Sequence, residues 1–293
     1  MPSSERIFMA LFTNQAQLTY GNVVTNSNIA VGEILEALSI SKTATGDTYG
    51  QNDTVTYVIN IVNSGNSALN NLIVSDDLGA YSFDATTLVP LDYVENSARY
   101  FVNGVLQPSI AVSSAGTNLV FSGINIPANS NASIVYETSV NEFAPLDATG
   151  AITNTATVSG NGITPVDASE TINALIAPLL TITKSINPTV VAPNGNVTYS
   201  FLIENRGNTE ITAVDNAQIT DLFNPILSNI SVTYNGVAWT EGVNYTYNEA
   251  TGEFATIPGQ VVVGAATYTQ DPTTGAWILI PAASILTVSG TIG

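Results

Sequence analysis

The chain has 293 residues, enough for about two domains of ordinary size. Residues of the AVILMFWYC set make up 45% and DEKR only 10%, a balance that supports packed cores and argues against disorder. Five basic residues stand against 23 acidic ones for a net charge of -18, with no Cys and no His. This excludes a nucleic-acid binder that works by phosphate neutralisation, disulfide frameworks, zinc sites and His- or Cys-based catalysis.

Val, Ile, Thr, Tyr and Asn dominate, and Gly 22 and Pro 13 supply the punctuation. The class expected is all-β. No apolar run approaches the roughly 18 residues of a membrane span. The opening MPSSERIFMALF makes a poor secretory signal. Its apolar stretch is short, Glu5 sits where positive charge belongs, and no cleavage site follows. Export by another route, or assembly inside the producing cell, is therefore expected. Residues 7–32 carry no charge at all. As a free tail this stretch would be an aggregation-prone apolar strand.

Downstream the chain repeats. KTATGDTYGQNDTVTYVINIVNSGN from Lys42 matches KSINPTVVAPNGNVTYSFLIENRGN from Lys184 at nine of 25 positions without a gap. The shared frame is Lys, Tyr fifteen residues on (Tyr57, Tyr199), then an Asn-x-Gly-Asn turn. VSDDLG at 74–79 resembles ITDLFN at 219–224, pairing Asp76 with Asp221. The first copy continues through AITNTATVSGNGITPVDASETI, whereas the second reaches SILTVSGTIG without a counterpart of ITNTATV. A similar segment, FTNQAQLTYGNVVTNSNIAV, lies at the N-terminus, where Thr13, Asn14 and Ala16 match Thr153, Asn154 and Ala156.

Short strands of period two, separated by Gly, Asn and Pro turns, predict two tandem immunoglobulin-like β-sandwiches plus an N-terminal donor strand. The expected divisions are a donor extension at 1–35, a complete sandwich at 36–176, and a sandwich lacking its last strand at 177–293. Phe12, Ala16 and Leu18 mark the donor strand. Strand addition between subunits repairs both defects at once. The contact is head-to-tail and generates an open homopolymer. Self-closure onto the chain's own second domain and an unattached tail are the other two arrangements the sequence allows.

Both lysines of the chain fall on apolar faces, with Leu38 and Ile40 or with Leu180 and Ile182. Asn14, Asn154, Asp76 and Asp221 also alternate with apolar residues. An unpaired charge in such a core costs several kcal/mol. One chemistry disposes of it. A desolvated amine is a nucleophile, a buried carboxyl favours its neutral form and can relay protons, and the asparagine carboxamide is the acceptor. An amide forms between two strands and ammonia leaves. Each residue also has a plainer reading: the lysines as edge gatekeepers or snorkelling chains, the asparagines as turn residues, the aspartates as loop caps.

Lys, Tyr, Asn-x-Gly, Val-x-Asp-x-Leu and Thr-Asn-x-Ala together resemble the tandem bacterial surface repeat catalogued as domain of unknown function eleven. They are similar also to the isopeptide-bonded sandwich domains of Gram-positive pilins and collagen adhesins. The resemblance runs over nearly the whole chain from about Phe12, but no sortase-type sorting signal accompanies it. It implies a Lys42–Asn154 isopeptide with Asp76 as proton shuttle inside the first domain. For the second it implies Lys184 with Asp221, and Asn14 of a neighbouring copy as acceptor. Asp77 is an alternative shuttle to Asp76.

The expected function is thus a structural subunit of an extracellular, cell-surface or spore-appendage filament, with no enzymatic turnover, cofactor or metal. The alternative is a monomeric adhesin or ligand-binding module. Asp76–Asp77 lies in no loop with calcium-motif spacing. Trp239, Trp277 and Tyr residues are assigned to core packing or cross-strand pairs, with a carbohydrate-binding face as the alternative.

Overall fold

A computed structural model describes residues 10–34, 38–160 and 163–292. The regular secondary structure is almost entirely β-strand, as expected, and the two units are two-sheet sandwiches of immunoglobulin-like kind. Among the described residues the only helical turn is a 3-10 turn at Ala213–Asp215, and no helix is long and apolar enough to cross a membrane. One compact unit takes in the chain as far as Asp47, Thr54–Ser139 and Thr153–Thr171. The other takes in Thr48–Asp53, Val140–Ile152 and the chain from Ile172 onward.

In the first unit one sheet runs in the order Val105–Leu106, Arg99–Val102, Ser130–Val140, Thr54–Asn63, Leu38–Ala44. The sheet packed against it runs through Ala111–Ala115, Asn118–Ile126, Leu69–Asp76, Ala151–Ser159 and Val166–Ala174. Period two decides which side chains go inward. Along Thr54–Asn63 the residues Val55, Tyr57, Ile59 and Ile61 are buried, and their neighbours are less so. Each such apolar side chain contributes about 1.5–3 kcal/mol. Leu72, Val74, Phe121, Ile124, Ile134 and Tyr136 complete the core from both sheets.

The second unit repeats the first sheet strand for strand: Val237–Trp239, Leu227–Tyr234, Ala282–Ile292, Asn196–Asn205, Leu180–Asn187. Its other sheet has three strands, Tyr245–Asn248, Glu253–Thr256 and Thr220–Leu222. Phe201, Phe223, Phe254, Leu286 and Val288 sit at the centre of its core.

Turn chemistry is repeated too. Asn103-Gly104 and Asn235-Gly236, with positive φ at both residues of each pair, close equivalent two-residue hairpins, as the right-handed strand twist requires. The Asn-x-Gly-Asn turns are pinned by buried asparagines. Asn63 Nδ2 donates to the carbonyls of Ser67, Ile126 and Pro127, and its Oδ1 accepts from Gly65 N. Asn205 does the same with Thr209 O, Gly264 O and Gly207 N.

The N-terminal segment departs from the single strand expected. It is a hairpin, in which Ala10–Asn14 pairs with Ala30–Ile34 and Gln17–Tyr20 pairs with Val23–Asn26. Every residue from Thr13 to Val31 is exposed, including Leu18, Tyr20, Val24, Ile29 and Val31. Ala16 lies between the two strand pairs and exchanges hydrogen bonds with Ser27. The Phe12 side chain lies outside the described residues.

Candidate functional site

Lys42 reaches the core of the first unit because its strand alternates. Leu38 and Lys42 point inward while Ser39, Ser41 and Thr43 do not. Asp76 ends the strand Leu69–Asp76 on the opposite sheet, on the inward face with Leu72 and Val74. Asn154 shares the inward face of Ala151–Ser159 with Ile152, Ala156 and Val158. Asp76 stands opposite Ala156 in register, which places Asn154 one inward position along from the carboxylate.

The Lys42 and Asp76 side chains have 0% exposure and form an ion pair through Nζ and Oδ2. The same Oδ2 accepts from the Tyr136 hydroxyl at 2.5 Å. That hydroxyl in turn accepts from Asn154 Nδ2 at 3.4 Å. Asp76 Oδ1 accepts from Leu78 N at 3.0 Å. The phenol thus links the carboxylate to the carboxamide, and the carboxylate links both to the amine. Asp77 serves the backbone instead. Its Oδ1 accepts from Gly79 N and Thr155 N, fastening the strand end.

Burial pushes the Lys42 amine below its ordinary range, against the pull of Asp76. Burial, with Asp76 adding to it, holds the Tyr136 phenol well above its own. The Tyr57 phenol is also pushed up by burial. Lys42 Nζ lies 4.9 Å from the Tyr57 ring centroid. An amine whose charged form burial disfavours, a carboxyl within reach and a carboxamide in the same buried core are the groups that amide exchange needs.

The second unit holds an open version of this arrangement. Lys184 pairs with Asp221 through Nζ and Oδ2, but their side chains are 39% and 17% exposed. Lys184 Nζ lies over the Tyr199 ring at 4.6 Å, as Lys42 lies over Tyr57. Leu180 is 39% exposed where its counterpart Leu38 is 8% exposed. The cause is visible in the pairing. The Asp76 strand is flanked on both edges, by Leu119 opposite on one side and Ala156 on the other. The Asp221 strand has Phe254 opposite on one side. Among the described residues no strand pairs with its other edge, and no asparagine stands where Asn154 stands.

Asn14, the acceptor expected from sequence, is exposed at the end of the strand Ala10–Asn14, opposite Ala30. Its hairpin copies the one that closes the first unit. Thr153 and Thr171 meet through their hydroxyls at 2.8 Å, and Thr155 meets Ser169 at 2.9 Å. Thr13 stands opposite Val31 in the same relation, each residue 140 positions earlier.

Tyr136 is the site residue that sequence reading missed. Its signal was present: alternation along Ser130–Val140 turns a phenol inward between Ile134 and Thr138, and a buried hydroxyl needs a partner. Trp239 stacks on Tyr234 at 4.8 Å.

The geometry defines a β-sandwich class carrying a buried Lys–Asp–Asn set. No protein family model matches this chain, and no curated protein matches it in sequence. Among solved structures it is similar to the pilus backbone RrgB of Streptococcus pneumoniae, at 11% identity and a TM-score of 0.35, over 83% of this chain and 55% of that one. It is similar to BcpA, the major pilin subunit of Bacillus cereus, at 11% identity and a TM-score of 0.35, over 94% and 73%. It is similar also to the collagen-binding subdomain of the Enterococcus faecalis surface protein ACE, at 10% identity and a TM-score of 0.32, over 46% and 95%. At these scores the likenesses assign no function to this chain.

Proposed function

We propose that this chain is the repeating subunit of a cell-surface or spore-appendage filament. The N-terminal hairpin of one copy adds to the free edge of the Asp221 strand in the next, completing its three-stranded sheet. In that register Ala16 stands opposite Asp221 as Ala156 stands opposite Asp76, and Asn14 comes to Lys184 as Asn154 comes to Lys42. Leu222 N, which donates to Asp221 Oδ1 at 2.9 Å, takes the place of Asp77 N, which donates to Thr155 O. Gln15 O is then its acceptor.

Two amides follow. Lys42 joins Asn154 within the subunit, and Lys184 joins Asn14 of the neighbour. In each the lysine nitrogen bonds to the carboxamide carbon, the carbon–nitrogen bond breaks, and ammonia leaves. Aspartate passes the proton from the attacking to the departing nitrogen. The reaction occurs once per site, so the protein is not a turnover enzyme. The single observation that carries the reading is the unpaired edge beside Lys184 and Asp221, together with a hairpin that already has the register of the one missing there.

Boiling in denaturant followed by electrophoresis tests it. A ladder of multimers is expected from the parent chain. Each amide removes one ammonia, about 17 Da in intact mass. Lys184→Ala and Asn14→Ala chains should still assemble, but dissolve to monomers on boiling. A denaturant-resistant ladder from Asn14→Ala, or a parent chain that stays single at high concentration, overturns the proposal.

A further inference from the structure

We propose that Tyr57, and Tyr199 at the matching place in the second unit, donate their phenolic hydroxyl to the carboxamide oxygen of the acceptor asparagine during amide formation. The inference rests on the amide-forming reading above.

Tyr57 Oη and Asn154 Oδ1 are both buried without a hydrogen-bond partner. Among the described residues only Trp277 Nε1 shares that condition. A buried donor and a buried acceptor left unmade are each costly. Here one of each belongs to the same cluster. Tyr57 is the cross-strand partner of Tyr136, with ring centroids 5.7 Å apart. Tyr136 holds the other end of the same carboxamide, its nitrogen. The Asn154 side chain is close enough to the Tyr57 phenol to act on it.

The repeat separates the roles of the two tyrosines. Tyr57 stands opposite Tyr136, whereas Tyr199 stands opposite Val288. Both sites therefore keep a tyrosine under the lysine, and only one keeps the bridging phenol. A function common to both bonds falls to Tyr57 and Tyr199.

As the lysine nitrogen adds to the carboxamide carbon, the C=O electron pair moves onto oxygen. The phenol meets that oxygen with an O–H donor in a dry site, where a preorganised donor counts most. When the carbonyl re-forms, ammonia departs with the proton relayed by aspartate. The tyrosine keeps its own proton throughout, and no other reagent is consumed.

The test follows intact mass at intervals after cell-free synthesis of the full chain. The parent should lose about 17 Da at the Lys42 site. Tyr57→Phe should do so about 100-fold more slowly, while unfolding cooperatively in urea like a Lys42→Ala chain. If Tyr57→Phe keeps pace with the parent, this inference is overturned and the amide reading stands. If the parent itself never loses ammonia, the amide reading fails instead. Should Tyr57→Phe not fold, Tyr199→Phe carries the test. Its denaturant-resistant multimers should build up about 100-fold more slowly, and an unchanged rate overturns the inference.

Discussion

Asp76 and Ala156 face each other across two hydrogen-bonded strands, and this register delivers Asn154 to the carboxylate that already holds Lys42. Strand pairing, which carries no chemistry itself, thereby brings the amine, the carboxylate and the carboxamide to one place. The second unit has the carboxylate and the amine, and among the described residues no strand pairs with the outer edge of Thr220–Leu222.

The Lys42–Asp76 pair should be far more sensitive to losing one member than both. In an Asn154→Ala background, where no amide can form and the ion pair persists, Lys42→Ala leaves a carboxylate in a core with no counter-charge and should cost about 3–5 kcal/mol. Lys42→Met combined with Asp76→Leu should cost less than Lys42→Ala alone. Urea unfolding of the three chains checks the order.

Alkaline pH should weaken the fold through Tyr136. Its phenol is held well above the ordinary value by burial and by Asp76, so the folded form keeps its proton where the unfolded chain releases it. Stability is full below about pH 10, the unfolded phenol value. It falls as pH rises from there towards the folded value, because the unfolded chain then binds fewer protons. Tyr136→Phe should flatten this slope in thermal melts between neutral pH and about pH 11.

The turn asparagines should be intolerant of truncation. Asn63→Ala strands three carbonyls and the Gly65 N–H. A buried polar group without a partner costs about 1–3 kcal/mol. Asn205→Ala should behave alike. At Gly207 an added Cβ would collide with the backbone at Ala177 and Pro178, so Gly207→Ala should lower the unfolding midpoint of the second unit.

A synthetic peptide of residues 10–34 should label a chain from which those residues have been deleted. The expected adduct is the sum of the two masses less about 17 Da, attached at Lys184. The same peptide with Asn14→Ala should give no adduct on mass analysis.

Much of this was written in the sequence. The two lysines, their tyrosines and the Asn-x-Gly turns sit in matched frames, and inward-facing polar residues stand out against alternating apolar ones. Thr-Asn-x-Ala marked two matching strands, and in Ala151–Ser159 it supplies an inward asparagine in a strand that pairs on both sides. What stayed hidden depends on contacts between strands distant in sequence. Asp76 and Asp77 are adjacent, and only the end of their strand turns one to Lys42 and the other to the Thr155 backbone. Tyr136 lies 60 residues from Asp76, too far for spacing to connect them. The N-terminal segment looked like one strand because its uncharged run hides the Tyr20–Val23 reversal, where Gly21 takes a positive φ of 56°.

That reversal bears on how a filament would grow. A loose tail must be ordered when it binds, and the ordering subtracts from affinity. The Ala10–Ile34 segment has already folded back and satisfied one of its edges. Under the proposed assembly a free subunit would arrive with its plug moulded, so elongation would be a simple encounter whose speed scales with subunit concentration, with no melting of either partner beforehand.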